Sequence, residues 1–286
     1  MDQKIDSHTK LYGIFGNPVE HSLSPALHNS VFKKLGINAV YLAFKIAPES
    51  LALAFEGIRS LGLQGVNITI PFKEDALNYV DEVPEDIDRL TGAINTIVNK
   101  DGQLFGYNTD GPGLLTALQS ELSFKPSGKE ILILGAGGAA RGALFALARG
   151  GAERIFLYNR THGRAHGLAE YAATYFPETE IAAVASLADL PSNRMHLVIN
   201  STSCGMRKNQ DLPLDWKEIK APAAAYDLVY TPQETPWLKE AKKLNIPCAN
   251  GLGMLTEQAA LSFQLWTGKK EGVREAMREA VASCKL

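Results

Sequence analysis

Residues 130 to 161 constrain this chain more than any other stretch. Glu130-Ile-Leu-Ile-Leu134 is a short apolar run that reads as a buried parallel strand. Gly135-Ala-Gly-Gly-Ala-Ala-Arg141 follows at once, and an alanine-rich helix then runs to the stop signal Gly150-Gly151. Arg154-Ile-Phe-Leu-Tyr158 reads as the next strand. Strand, glycine turn, helix and strand make a βαβ unit. Gly135 permits the tight turn, and Gly137 lets the backbone approach a pyrophosphate. Ala136, Gly138 and Ala139 complete the turn, and the helix start offers its unpaired N–H groups to the anion. Ala140 replaces a third glycine and is small enough for close helix–strand packing. The unit reads as the opening of a Rossmann domain for a dinucleotide.

The residues after the second strand bear on which dinucleotide. A fold preferring NAD carries Asp or Glu there, against the ribose 2′-hydroxyl. This chain has Asn159, Arg160 and Thr161, with Arg164 beyond. A carboxylate would repel a 2′-phosphate, whereas Arg160 offers it a planar fork of donors. The sequence therefore favours NADP. The bland alternative for Arg160 is a solvated surface arginine.

With 286 residues the chain is long enough for two ordinary domains. It is 45% hydrophobic and 21% charged, as soluble globular proteins are. A formal net charge of -2 gives no reason to expect nucleic acid or an acidic membrane surface as partner. Cys204, Cys248 and Cys284 form no CxxC pair, so neither a disulfide framework nor a zinc site is expected. No His/Cys/Asp cluster has metal-ligand spacing. The start of the chain has no long apolar segment, and no stretch is apolar enough to span a bilayer. A cytoplasmic protein is expected.

The first third reads as β-α-β-α-β, with strands at 11–15, 39–46 and 65–70 and helices at 24–35 and 48–61. That order implies an open, mostly parallel α/β sheet. Ser24 reads as the N-cap of the first helix, with Pro25 at N1. A short helix should follow Pro71-Phe-Lys73, and the acidic stretch 81–88 reads as one surface helix. Strands at 93–98 and 103–107 form a hairpin around Lys100-Asp-Gly102. A helix at 112–122 links to the nucleotide unit. Beyond it, a helix at 164–175 precedes strands at 181–184, 195–199, 224–230 and 246–249. Helices from about 256 and 270 close the chain.

Several polar residues sit where packing alone does not require them. Ser22 and Ser24 flank a leucine at a helix entry, which suits a small carboxylate; equally, they could be a loop serine and a cap. Asn67 and Thr69 alternate in a strand and so face one side, near the strand end where α/β sheets gather ligands. Lys73 at a helix start opposes the helix dipole. Asn95 interrupts an apolar strand, and Asp110 lies at a strand-to-helix junction where a plain N-cap is the alternative. Lys73 and Asp110 together could hold a substrate hydroxyl and exchange its proton, but spacing does not show that they meet.

Taken in order, these stretches closely resemble the shikimate dehydrogenase family. The carriers are Gly16-Asn-Pro18, His21-Ser-Leu-Ser-Pro25, Asn67-Ile-Thr-Ile-Pro-Phe-Lys73, Gly92-Ala-Ile-Asn-Thr96 and Asn108-Thr-Asp-Gly111. They continue through Gly135-Ala-Gly-Gly-Ala139, Asn159-Arg-Thr161, Gly251-Leu-Gly-Met-Leu255 and Gln258-Ala-Ala260. The resemblance implies a substrate domain at 1–110, an NADP-binding Rossmann domain at 111–249, and C-terminal helices at 250–286 that return to the substrate domain. It implies reversible NADPH-dependent reduction of 3-dehydroshikimate to shikimate, with Lys73 and Asp110 as the catalytic pair. Ser22 and Ser24 match carboxylate ligands; Asn67, Thr69, Asn95 and Gln258 match ring-hydroxyl or carboxylate ligands; Tyr230 matches a tyrosine at the substrate edge. Thr202, Leu228 and Gly251 match positions along the cofactor. The chain departs from the family before Pro232, where a basic residue or asparagine is usual. A homodimer is compatible with the resemblance. Two rival readings are an NAD-using quinate/shikimate dehydrogenase and a non-catalytic NADP-binding regulator on the same scaffold.

Overall fold

The structure is a computed structural model that describes residues 5–191, 195–206, 214–219 and 222–284. In chain order the elements are β1 (Lys10–Gly16), α1 (Ser24–Lys34), β2 (Ala39–Lys45), α2 (Leu51–Ser60), β3 (Gly65–Ile68), α3 (Asp86–Thr91), β4 (Thr96–Lys100) and β5 (Gln103–Tyr107). There follow α4 (Asp110–Leu122), β6 (Glu130–Leu134), α5 (Gly138–Arg149), β7 (Arg154–Tyr158), α6 (His162–Ala173), β8 (Glu180–Val184) and β9 (Leu197–Asn200). The last are β10 (Ala225–Asp227), α7 (Pro236–Lys243), β11 (Cys248–Asn250), α8 (Leu252–Thr267) and α9 (Val273–Ser283). The chain divides into two compact units, one built from residues up to Asp110 and from Thr256 onward, the other from Gly111–Leu255. The second division falls inside α8, a little beyond the boundary at 249 read from the sequence.

The first unit holds a five-stranded sheet in the order β2-β1-β3-β4-β5. β1 pairs in parallel with β2 and β3, while β4 is antiparallel to both β3 and β5. Four strands therefore share one direction and β4 alone opposes them. One layer of core holds Phe15, Phe55, Ile58, Ile68 and Phe72. A second, aromatic cluster joins α1, the sheet and α8: Tyr12 lies 5.2 Å from both Phe32 and Trp266, and Phe32 lies 5.2 Å from Phe263.

Trp266 fixes α8 to the sheet. Its indole Nε1 donates to the Ile97 carbonyl at 2.9 Å, and its ring lies over Gly65, where a methyl group would collide with it. Gly65→Ala should therefore overpack this contact, at about 1–3 kcal/mol, and lower Tm by several degrees. An unchanged melting curve would show that the indole has room to move. Two arginines hold α9 to α8: Arg274 Nε and Arg278 Nη2 donate to the buried Glu257 carboxylate at 2.6 and 2.9 Å.

The second unit holds a six-stranded parallel sheet in the order β11-β10-β9-β6-β7-β8. Renumbered from β6, this is the doubly wound order 3-2-1-4-5-6, which reverses between β6 and β9. The strand β6 is fully apolar and buried from Ile131 to Leu134, as a strand covered on both faces must be.

Some local expectations shift. The acidic stretch 81–88 is not one helix. Asp81 stays exposed but accepts from the Leu104 amide at 2.7 Å and pairs with Arg59, and α3 starts only at Asp86. Pro71-Phe-Lys73 leads to a single 3-10 turn at Asp75–Asn78, not directly into a helix. The helix α7 was not foreseen, although Thr235 caps it through Leu238 N and Pro236 opens it.

Candidate active site

Asp110 and Lys73 are brought together in the first unit. Lys73 Nζ lies 2.6 Å from Asp110 Oδ2. The Asp110 carboxylate is available because it does not cap its own helix. Asn108 Oδ1 accepts from the Asp110 amide at 3.0 Å and takes over that task. Asn108 is in turn held by Asp88, which accepts from its amide at 2.7 Å. Lys73 is anchored through its carbonyl, which accepts from Ile94 N at 2.9 Å, one residue before Asn95. Its side chain is 32% exposed and that of Asp110 19%, so solvent reaches the pair.

Asn95 joins this pair to α8. It lies just before β4, not within it. Its Nδ2 donates to Asp110 Oδ1 at 2.9 Å and to Gln258 Oε1 at 3.2 Å. Its Oδ1 accepts from Thr109 N at 2.8 Å. Lys73, Asn95, Asp110 and Gln258 thus form one connected group, drawn from four separate parts of the chain.

Asn67 is buried deeper than the sequence suggested. Its Oδ1 accepts from Tyr41 at 2.7 Å, while Nδ2 donates to the Asn95 carbonyl at 3.1 Å and to Ser262 at 3.0 Å. Thr69 lies beyond the end of β3 and is half-buried, so the two residues do not share a strand. Ser24 is the first residue of α1 and not its cap; Ser22 Oγ accepts from the Ser24 amide at 3.2 Å instead. The cluster also contains Tyr41, Thr96, Thr109 and Ser262, which sequence reasoning missed. Thr96 and Ser262 hydroxyls lie 2.7 Å apart. Tyr41 and Ser262 are ordinary residues for a strand and a helix, and nothing local marks them; Thr96 and Thr109 lie inside the family motifs, where no role was assigned to them.

In the second unit, the glycine turn sits at the point where strand order reverses. Gly135 has φ +114°, and a Cβ there would meet Ser201 Oγ at 2.6 Å. Gly137 precedes α5, which no side chain caps. Gly137 and Gly138 have open space where a Cβ would stand, and with Ala139 they are exposed. Ala136 is half-buried and Ala140 fully buried. An exposed, uncapped helix start behind a glycine turn fits a pyrophosphate. Asn159 follows β7 and donates from Nδ2 to the Thr161 carbonyl at 2.9 Å. The start of α6 has no side-chain cap at Thr161 either, and Arg160 and Arg164 are exposed on either side of it. This second anion-accepting end suits a phosphate on the ribose. The residues present therefore fit NADP.

Thr202, Leu228 and Gly251 are linked at the carboxyl ends of β9, β10 and β11. Leu228 N donates to the Asn200 carbonyl at 2.9 Å, and Gly251 packs so closely on the Leu228 carbonyl that no Cβ fits. Asn200 Oδ1 accepts from Thr202 Oγ1 at 2.6 Å, and Asn200 Nδ2 donates to Asp227 at 2.9 Å. Tyr230 lies past β10 in this unit, half-buried, and burial pushes its phenol pKa up.

Asp227 is buried, and desolvation raises its pKa from 3.8 to about 6 against hydrogen bonds from Thr235, Val229 and Asn200. The unfolded chain releases this proton near pH 4, whereas the folded chain holds it to about pH 6. Stability from this group is therefore present at low pH and lost as pH rises through 6, by up to about 3 kcal/mol. Asp227→Asn should remove that slope. Urea unfolding of both proteins at pH 4.5 and pH 7 checks it: the variant should gain about 2 kcal/mol on the wild type between these values. A difference independent of pH would mean that the carboxyl ionises normally.

The chain matches three family profiles. "Shikimate dehydrogenase substrate binding domain" covers residues 14–97, "Shikimate / quinate 5-dehydrogenase" covers 117–206, and "Shikimate 5'-dehydrogenase C-terminal domain" covers 251–282. The shikimate dehydrogenase (NADP(+)) of Caldanaerobacter subterraneus is 43% identical over 280 residues, spanning 96% of this chain and 99% of that one. The crystal structure of the Aquifex aeolicus shikimate dehydrogenase superposes with a TM-score of 0.87 at 38% identity, covering 97% of this chain and 99% of the other. That of the Thermus thermophilus enzyme, in complex with NADP(H) and shikimate, gives 0.83 at 37% identity, covering 95% and 100%. With the polar cluster of the first unit and the glycine turn of the second, these likenesses over nearly the whole length establish that the chain belongs to the shikimate dehydrogenase family.

Proposed function

We propose that this chain catalyses the reversible reduction of 3-dehydroshikimate to shikimate with NADPH, a step of chorismate and aromatic amino-acid biosynthesis. The observation that carries the reading is the Lys73–Asp110 pair, 2.6 Å apart and tied through Asn95 to Gln258. Bound NADPH supplies the hydride for the ketone carbon. As that hydride arrives, the carbonyl oxygen gains negative charge. The Lys73 ammonium stabilises the charge and donates the proton, so that 3-dehydroshikimate, NADPH and a proton become shikimate and NADP+. Asp110 holds the ammonium in place, and Asn95 holds Asp110. Solvent, which reaches both side chains, restores the proton to Lys73. In the oxidative direction the same nitrogen accepts it.

The first unit binds the substrate. Ser22 and Ser24 take its carboxylate, and Asn67, Thr69, Asn95 and Gln258 its ring hydroxyls or carboxylate; Tyr230, of the second unit, is the residue that the family resemblance assigns to the substrate edge. The second unit binds NADP: residues 135–139 receive the pyrophosphate, Asn159, Arg160, Thr161 and Arg164 the 2′-phosphate, and Thr202, Leu228 and Gly251 line the cofactor. The protein works in the cytoplasm on small molecules, without nucleic acid or membrane as partner. Its unpaired cysteines support a reducing compartment. A homodimer fits this reading, and sedimentation at working concentration decides it. The function is tested by following NADPH absorbance with shikimate or quinate, each with NADP or NAD. Shikimate with NADP should be the best pair by a wide margin; a preference for quinate with NAD would overturn the assignment.

A further inference from the structure

Asn200 ends β9 and is fully buried, and its carboxamide is fully engaged inside the protein. Oδ1 accepts from Thr202 N at 3.0 Å and from Thr202 Oγ1 at 2.6 Å. Nδ2 donates to Asp227 Oδ1 at 2.9 Å and to the Cys204 carbonyl at 3.3 Å. A carboxamide offers two lone pairs and two N–H bonds, so all four are used. Thr202 N can only donate, which fixes the orientation of the amide. The loop after β9 is thus wound around one side chain.

These bonds reach both neighbouring cofactor positions. The Thr202 hydroxyl donates to Asn200 and accepts from Cys204 N at 3.1 Å. With the hydroxyl so held, the Thr202 methyl lies beside the glycine turn, where a Cβ on Gly135 would meet it at 3.3 Å. Asn200 also acts on the next strand. Its carbonyl accepts from Leu228 N at 2.9 Å. Asp227, to which its side chain donates, accepts from Val229 N at 3.0 Å and from the Thr235 hydroxyl at 2.7 Å. An asparagine that served only its own turn would need the contact with Thr202 N alone. The bond to Asp227 spans 27 residues and ties two loops together.

In a doubly wound sheet each half binds one mononucleotide, on either side of the reversal. Arg160 and its turn belong to the half that contains β7. Thr202 and Leu228 belong to the other half, β9 to β11, and so to the nicotinamide end of the dinucleotide. We propose that Asn200 is a positioning residue for the nicotinamide half of NADP, which holds the Thr202 and Leu228 loops in register without touching the cofactor. Thr202 then offers the cofactor its methyl face and not its hydroxyl proton. The inference rests on the proposed binding of NADP by the second unit, which titration of the wild type tests by itself.

Asn200→Ala should weaken NADP about tenfold in calorimetric titration. Adenosine 2′,5′-bisphosphate keeps the 2′-phosphate but lacks the nicotinamide half, and should bind the variant within about twofold of wild type. A loss shared by both ligands would make Asn200 a structural residue of the whole unit and overturns the proposal. NADP binding within about twofold of wild type overturns it as well. Thr202→Val keeps the methyl and removes the hydroxyl. It should weaken NADP in the same way, and the two changes together should cost little more than Asn200→Ala alone. Strict additivity would mean that the Thr202 hydroxyl reaches the cofactor itself, which also overturns the proposal. If Asn200→Ala does not fold, Asn200→Ser takes its place, since a serine oxygen can still accept from Thr202 N but is too short to bridge to Asp227. The same two ligands then decide by the same criteria.

Discussion

Lys73→Ala should lower kcat for shikimate oxidation by roughly 10²–10⁴-fold while leaving NADP affinity intact. The expectation follows from the position of the ammonium, 2.6 Å from Asp110 and partly open to solvent. If the lysine only bound substrate, its loss would raise KM and spare kcat. A group that passes a proton in the transition state instead lowers kcat. Asp110→Asn should bring a similar drop. It removes the anion that orients the ammonium, although the bond from Asn95 Nδ2 can still be made to the new carbonyl oxygen. The double variant should be little worse than either single one, since residues acting as a unit are not additive. Steady-state rates with both substrates varied, together with NADP titration by fluorescence, separate the cases. A near-normal kcat in Lys73→Ala would remove the lysine from the chemistry, and fully additive losses would mean that the two side chains act independently.

For Arg160→Ala, a loss of about 1.5–3 kcal/mol in NADP binding is expected, roughly 10- to 150-fold in Kd, with NAD binding nearly unchanged. Arg160 is exposed at the uncapped start of α6, with Arg164 on the same turn. A dianionic phosphate there would meet one or two guanidinium groups and free helix N–H groups at once. NAD carries no such phosphate and so should not notice the change. Calorimetric titration with each cofactor gives the comparison directly. Equal losses for NADP and NAD would assign Arg160 to holding the turn after β7.

The second unit was legible because its signals are local. An apolar five-residue strand, a glycine turn and an alanine-rich helix lie within 130–150, and each element has its own reason to form. The first unit's site was legible only in part. Lys73 and Asp110 were marked by family motifs, but the 2.6 Å contact joins residues 37 apart in sequence. Tyr41 and Ser262 were invisible because a tyrosine in a strand and a serine in a helix are unremarkable. Their importance comes from bonds to Asn67 across 26 and 195 residues. The N-cap misreading has a local cause: Ser24 is a good cap by residue type, but the helix begins on it behind Leu23, and Pro25 is tolerated at either of the first two helical positions. The acidic stretch misled because Asp81 and Asp88 look solvated by composition. Each in fact accepts a backbone N–H from the β5 strand or its exit.

The discontinuity of the first unit has a consequence for how the protein is made. Trp266, which covers Gly65, and Gln258, which meets Asn95, are added long after the part of the first unit that ends at Asp110. Between Asp110 and Thr256 it must synthesise the 145 residues of Gly111–Leu255. At roughly 5–20 residues per second that interval is about 7–30 s. Throughout it, Tyr12, Phe32 and Tyr41 lack the α8 aromatics that bury them, whereas the described part of the second unit is one continuous stretch of chain. A nascent chain whose first 255 residues have just emerged from the ribosome should therefore carry a folded nucleotide unit beside an unfinished, chaperone-prone first unit, and the capacity to hold cofactor should emerge before the capacity to hold substrate.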